Sequence, residues 1–190
     1  MPILALEPTV FPDDLLTPGL DDKQDSHLDA DRDWWVVYTR SRQEKAVARE
    51  LHRYGVPFYL PLIPQDRVNR GRRIRSFMPL FSGYLFLFGD ETERIMTLKT
   101  NRISRILPVS NPDQLLQDLY QVSQLISSDA PLTVERRLQP GQCVRIKSGP
   151  FRGYEGTLIR RHGRQRFQVA ISYLNQGVSI EIDDVAVEPI

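Results

Sequence analysis

The sequence predicts an α+β protein in which a domain of helices and antiparallel strands precedes a small β-barrel. Between residues 34 and 127, apolar β-rich runs alternate with three helical patterns. From residue 139 to 190, short alternating strands are separated by frequent glycines, which is typical of a small barrel. Residues 128–138 contain a proline and no clear pattern, so we expect a linker there.

Charge is unevenly distributed along the 190 residues, although the net charge is only +1. Residues 1–33 hold nine acidic and two basic residues and several prolines, which predicts an acidic disordered tail. Such a tail either solvates the protein or screens the basic body that follows it. The single cysteine, Cys143, excludes an internal disulfide, and no apolar run is long enough for a membrane helix. We therefore expect a cytoplasmic monomer with no membrane contact.

The larger domain begins with a strand and a helix. Trp34–Tyr38 is apolar and rich in β-formers, which indicates a buried strand. The next helix has a possible capping box formed by Ser41 and Glu44, and Gly55 is suited to end it.

Seven further elements are predicted in this domain. An arginine-rich hairpin turns at residues 69–71, and Asn111 and Pro112 are suited to start the last helix. That helix carries an apolar stripe of Leu115, Leu119, Val122 and Ile126. In chain order, the remaining predictions are strands at 56–60, 62–68, 72–78, 84–88 and 103–109 and a short helix at 91–99.

The second domain contains a recognisable turn sequence. Gly141–Gly156 enters as a strand, turns at Gly149 and leaves through two more glycines, which permit positive φ and close backbone approach. This segment resembles the KOW motif, and the alternation around it favours an SH3-like KOW β-barrel over residues 139–190.

The first domain carries its own resemblance. Trp34–Thr39, Glu44, Phe58–Pro61 and Pro79–Leu87 resemble the N-terminal domain of NusG-type factors in order and spacing. Together with the KOW segment, the chain resembles the NusG/RfaH family over residues 34–190. The resemblance implies an α/β sandwich, an antiparallel sheet with helices, ahead of the barrel.

The resemblance also implies a function. Members of this family are elongation or antitermination factors whose N-terminal domain binds the clamp helices of the largest RNA polymerase subunit. Their KOW domain recruits a second partner, such as a ribosomal protein or Rho. By position in the motif, Tyr84 and Phe86 would line the polymerase-binding surface, although both could equally be core residues. Tyr173, Leu174 and Gln176 fall where the family binds its second partner.

Basic residues suggest nucleic-acid contacts. Arginine suits phosphate through its charge and fork geometry. We expect a contact with DNA or nascent RNA, unless the hairpin arginines serve only to keep a strand edge soluble. The candidates are Arg40, Arg42, Arg70, Arg72 and Arg73.

Nothing in the sequence predicts an enzyme. His27, His52 and His162 are scattered, and no nucleotide-binding or nucleophile motif is present, so we expect no catalytic residue, metal or cofactor. The alternative function is a KOW-containing ribosome- or RNA-binding structural protein. The sequence leaves open whether the chain is a general factor or an operon-specific paralog, although the hairpin favours the specialised paralog. We expect the C-terminal domain to remain a barrel rather than refold into helices.

Overall fold

A computed structural model describes residues 7–17, 31–69, 72–128, 130–161, 163–182 and 187–190. It confirms the predicted α+β class. The chain forms two compact units, Met1–Pro112 and Asp113–Ile190. The first unit contains β1 (Val10–Phe11), β2 (Asp33–Thr39), α1 (Glu44–Tyr54), β3 (Phe58–Tyr59), β4 (Leu62–Asn69), β5 (Arg72–Pro79), β6 (Tyr84–Gly89), α2 (Glu91–Lys99) and β7 (Ile103–Pro108).

Five of these strands form one antiparallel sheet in the order β1-β3-β6-β2-β7. Successive side chains of a strand point to opposite faces of the sheet. On one face, Val37 and Leu85 are buried with Val47 and Leu51 of α1. Burying a side chain of this size stabilises the fold by about 1.5–3 kcal/mol. The opposite face carries the aromatic residues described below.

The acidic N-terminal segment is partly structured, so the predicted disordered tail is wrong for residues 7–17. Val10 and Phe11 pair with β3, and the Leu60 N–H donates to the carbonyl of Thr9 at 2.6 Å. Phe11 also packs against the core of the first unit. The acidic composition concealed a short apolar run that gains more by covering a strand edge than by staying in water. Residues 1–6 and 18–30 of the predicted tail lie outside the described residues.

The predicted hairpin is confirmed as the two-stranded sheet of β4 and β5, with a register running from Leu62 opposite Pro79 to Asn69 opposite Arg72. Residues 70 and 71 of the expected turn lie outside the described residues.

The second unit contains α3 and six strands. Its elements are α3 (Pro112–Ser127), β8 (Thr133–Glu135), β9 (Gln142–Ile146), β10 (Glu155–Arg161), β11 (Arg164–Ile171), a one-turn 3-10 helix (Ser172–Leu174), β12 (Gln176–Glu181) and β13 (Val187–Pro189). The strands form an antiparallel sheet in the order β13-β9-β10-β11-β12-β8. This is the small β-unit that the sequence predicts.

Two predicted domain boundaries differ from the structure. Residues 128–138 were expected to be a linker, but Thr133–Glu135 pair with β12. The helix α3 was expected to close the first domain, but it groups with the second unit. Side chains of α3 explain this, because Asp118 accepts a hydrogen bond from the Ser172 N–H at 3.1 Å and Gln121 accepts one from the Glu155 N–H at 2.9 Å.

Candidate functional site

Two tyrosines form an aromatic pair on the sheet face opposite α1. Tyr38 of β2 lies directly opposite Tyr84 of β6, and their ring centroids are 5.1 Å apart. Residues that face each other across an antiparallel pair share one face of the sheet. Tyr38 is 42% exposed and Tyr84 is half-buried, so the aromatic pair is open to solvent. An exposed aromatic pair on a rigid sheet is well suited to anchor a protein partner.

Phe86, the other residue predicted on this surface, lies one row deeper. It is 0% exposed, and its ring stacks on Tyr59 at a centroid distance of 6.5 Å. Phe86 is buried because β6 is central in the sheet and is covered on both faces here. Its place on a polymerase-binding surface stays a prediction. In this structure Phe86 supports the row that holds the aromatic pair.

A buried carboxylate fixes the turn that leads into β6. The Gly83 N–H donates to Glu44 Oε1 at 2.6 Å, and the Thr39 N–H donates to the Gly83 carbonyl at 2.8 Å. Glu44 was expected to form a capping box with Ser41, and this is wrong. The helix cap is Gln43, which makes no side-chain capping bond, and α1 starts two residues later than the box requires. Glu44 is therefore free to reach across to Gly83.

Gly83 also touches the aromatic pair. Its φ is +86°, and a Cβ built there would lie 3.0 Å from Cε2 of Tyr38. Both the backbone conformation and the close approach require glycine. Sequence reasoning missed Tyr38 and Gly83 as site residues. The two-residue spacing of Val36 and Tyr38 along β2 was the available signal for placing both on one face of the sheet.

The candidate nucleic-acid residues fall into two groups. Arg40 and Arg42 lie in the turn between β2 and α1, where both are exposed and Arg40 Nη2 donates to Asn101 Oδ1 at 3.1 Å. Arg72 and Arg73 begin β5, and Arg70 lies outside the described residues. Arg40 follows Tyr38 by two residues in the chain and lies just beyond the end of β2.

The predicted second-partner residues lie together at one loop of the second unit. Tyr173 and Leu174 belong to the 3-10 helix, Gln176 starts β12, and all three are half-buried. The loop turns back at Asn175, which has a φ of +50°. Asp118 of α3 fixes the start of this loop through the Ser172 N–H.

Burial raises the pKa of the Asp118 carboxyl above its ordinary value. Hydrogen bonds from Ser172 and Gln114 oppose that shift, because they stabilise the charged form. Asp118 is therefore a buried acid whose negative charge depends on these donors.

Three arginines of the β10–β11 hairpin are paired with glutamates. Arg161 Nη1 lies 3.3 Å from Glu135, and Arg164 and Arg166 bind Glu181 at 2.6 and 3.1 Å. Arg166 is buried and also donates to the Ser179 and Thr133 hydroxyls at 2.8 and 2.7 Å. These contacts tie β8 and β12 to β11.

Comparison with known proteins decides the family. The sequence model of the family described as "Transcription termination factor nusG" matches residues 32–136, which is more than half of the chain. The chain belongs to the NusG family. The prediction made from the sequence motifs is thus confirmed at the level of the family.

Similar NusG proteins align with this chain over most of their length. The chain is 27% identical to the Transcription termination/antitermination protein NusG of Pasteurella multocida over 177 residues, covering 82% of this chain and 93% of that protein. It is 25% identical to the protein of the same name in Escherichia coli O6:H1, covering 82% and 94%. The crystal structure titled "MjSpt4:Spt5 complex conformation B" superposes with a TM-score of 0.30 and 14% identity over 83% of this chain and 97% of that chain.

Membership of the NusG family places the chain among transcription termination/antitermination factors, which are not enzymes. Within the residues that the structure describes, no three or more His, Cys, Asp or Glu side chains are grouped to hold a metal ion. No helix in the same part of the chain is both long and apolar enough to cross a membrane. The exposed aromatic pair is therefore the leading candidate for a binding site on this NusG-family chain.

Proposed function

We propose that this chain is a cytoplasmic elongation or antitermination factor that binds RNA polymerase through the aromatic pair of its first unit. Its partner there is the clamp-helix region of the largest polymerase subunit, and binding reduces pausing or termination. The observation that carries the proposal is the exposed Tyr38–Tyr84 pair in a member of the NusG family. Aromatic anchors of this kind bury a large area at a small cost in side-chain entropy.

The rigidity of the surface supports this role. The aromatic pair sits on adjacent strands, and the turn before Tyr84 is fixed by the Glu44 carboxylate. A surface already held in its binding conformation loses little entropy on association.

Basic residues add a second contact in the proposal. Arg40 and Arg42 are exposed in the turn that follows β2, and Arg72 and Arg73 start the second strand of the hairpin. Together with Arg70 they would contact DNA or nascent RNA near the polymerase.

The second unit would recruit another partner through Tyr173, Leu174 and Gln176. A ribosomal protein and Rho are the two candidates, and the half-buried loop held by Asp118 is the surface that would receive either. We also propose that the chain is a specialised paralog rather than a general factor, on the basis of its arginine-rich hairpin.

The polymerase contact is tested by binding to purified bacterial core RNA polymerase. The test variant is Tyr38→Ala with Tyr84→Ala, and the matched control is Tyr54→Ala. Tyr54 is 55% exposed and belongs to α1, so its ring is as accessible as the aromatic pair but lies elsewhere on the first unit. We expect the double variant to lose binding and the control to keep it, with thermal melts showing that both are folded.

Equal binding by the double variant would overturn the proposed surface. Binding of wild type to ribosomes but not to polymerase would instead favour the ribosome- or RNA-binding alternative. Co-sedimentation with ribosomes, with and without active transcription, distinguishes these outcomes.

A further inference from the structure

A third side chain lies in line with the aromatic pair across the sheet. Arg105 of β7 lies directly opposite Tyr38, just as Tyr84 does on the other side. Since paired residues share a face, Tyr84, Tyr38 and Arg105 form one row across three neighbouring strands. The next row, Phe86, Val36 and Leu107, follows the same registers.

These rows change from buried to exposed toward β7. Phe86 is enclosed and Val36 is 1% exposed, whereas Leu107 is 40% exposed. In the described sheet, β7 is the terminal strand beside β2, so Arg105 and Leu107 form the rim of this face. A binding surface with an aromatic centre and a charged rim resembles the usual anatomy of a protein interface.

Arg105 differs from other arginines of the first unit. Arg102 is held by Glu50 at 3.2 Å and Gln43 at 2.5 Å, and Arg32 is held by Glu93 at 2.7 Å. Arg105 is exposed. Among the described residues, no carboxylate forms an ion pair with its guanidinium.

Two further exposed positive charges, Arg40 and Arg42, follow Tyr38 in the chain. An occupant of this face must present apolar area to the aromatic pair and negative charge to the rim. Charge complementarity at a rim acts mainly on partner choice and association rate.

We propose that Arg105 is a specificity-determining residue that pairs with a carboxylate on the protein segment docked against Tyr38 and Tyr84. The occupant is thus an acidic apolar segment of the partner. This inference rests on the proposed function, because it adds a charge requirement to the same surface.

The test measures binding of the full chain to core RNA polymerase free of nucleic acid, at low and at high salt. Arg105→Glu reverses the charge, and Arg105→Gln removes it. The matched control is Arg53→Glu, which makes the same charge change at an exposed position of α1. We expect Arg105→Glu to weaken binding by about tenfold at low salt and Arg105→Gln to weaken it less. The loss should shrink at high salt, and the control should bind like wild type.

The outcomes separate the two levels of the proposal. If Tyr38→Ala with Tyr84→Ala abolishes binding but Arg105→Glu binds like wild type, the charge requirement is wrong and the polymerase surface stands. If neither variant affects binding, both ideas fail. If Arg105→Glu weakens binding only when DNA or RNA is added, Arg105 contacts phosphate and the acidic protein segment is ruled out. Thermal melts of each variant confirm that the exposed substitution leaves the fold intact.

Discussion

The carboxylate of Glu44 accepts a hydrogen bond at 2.6 Å from the backbone N–H of Gly83, which lies 39 residues further along the chain. This buried bond joins the first turn of α1 to the turn before β6. It holds the residue that touches Tyr38, so the helix on one face of the sheet positions the aromatic pair on the other.

Replacing Glu44 with alanine should therefore destabilise the first unit. The Gly83 N–H would lose its acceptor in a buried site, at a cost of about 1–3 kcal/mol. Glu44→Gln keeps a carbonyl acceptor for the Gly83 N–H, so this variant should lose less stability than Glu44→Ala. Urea unfolding of the two variants measures the difference, and equal losses would mean that the hydrogen bond to Gly83 contributes little.

Gly83→Ala should reduce stability more than alanine at another glycine of positive φ. The new Cβ would meet the Tyr38 ring at 3.0 Å in addition to adopting a positive φ. Gly149→Ala is the matched control, because Gly149 has the same φ of +86° with nothing within 4 Å of the added atom. Holding an alanine at positive φ costs about 1–2 kcal/mol in either variant. We expect only Gly83→Ala to weaken polymerase binding, and thermal melts together with binding assays test this.

Asp118 should give the second unit a pH-dependent stability. Because burial raises its folded pKa above the unfolded value, the folded state holds the proton more tightly. Its contribution to stability is therefore present at low pH and is lost as pH rises through the folded pKa. Asp118→Asn retains an acceptor for the Ser172 N–H and should remove this part of the pH dependence.

The free energy of unfolding, measured from pH 4 to pH 7, tests this pH dependence. Asp113→Asn is the control because Asp113 is an exposed acid of the same helix. If the stabilities of Asp118→Asn and wild type change in parallel across this pH range, Asp118 is not the source of the pH dependence.

Arg166 and Arg164 bind the same glutamate but should differ in their contribution to stability. Arg166 is buried and donates to the buried hydroxyl and carbonyl of Ser179 and to the Thr133 hydroxyl, so Arg166→Ala removes these donors and should cost about 2 kcal/mol. Arg164 is mostly exposed, so Arg164→Ala should have a much smaller effect. Chemical denaturation of the two variants provides the comparison, and similar midpoints would argue against the buried network.

Phe11→Ala should destabilise the first unit, although Phe11 lies in the acidic segment. Its ring packs against the core and meets the His52 ring edge-on at 5.2 Å. Loss of a partly buried phenyl ring should cost about 1–3 kcal/mol. Val10→Ala provides a smaller truncation in the same strand for comparison. Deleting residues 1–33 would remove β1 as well as charge, so altered binding by that deletion would not by itself demonstrate electrostatic screening.

The local patterns of the sequence predicted most elements of the fold. An apolar run identified the strand at Tyr84, alternation identified the strand at Phe167, and Asn111 followed by Pro112 identified the start of α3. Periodicity reports which residues are buried, and it is set by local geometry. The class of the fold and the family followed from these local signals.

The errors concern contacts between distant parts of the chain. Ser41 and Glu44 have the spacing of a capping box, but a donor 39 residues away captures the carboxylate. The apolar stripe of α3 predicted a buried helix without indicating which unit would bury it. The aromatic row depends on strand register, which places Tyr38 between Tyr84 and Arg105 and cannot be read from any one segment.

The paired arginines of the second unit have a consequence for RNA. Free arginines that bind phosphate release condensed counterions, which makes nucleic-acid affinity fall steeply with added salt. Arg161, Arg164 and Arg166 already hold glutamates, so a phosphate would have to displace a carboxylate at each of them. Any affinity of this unit for RNA through these three residues should therefore vary only weakly with ionic strength.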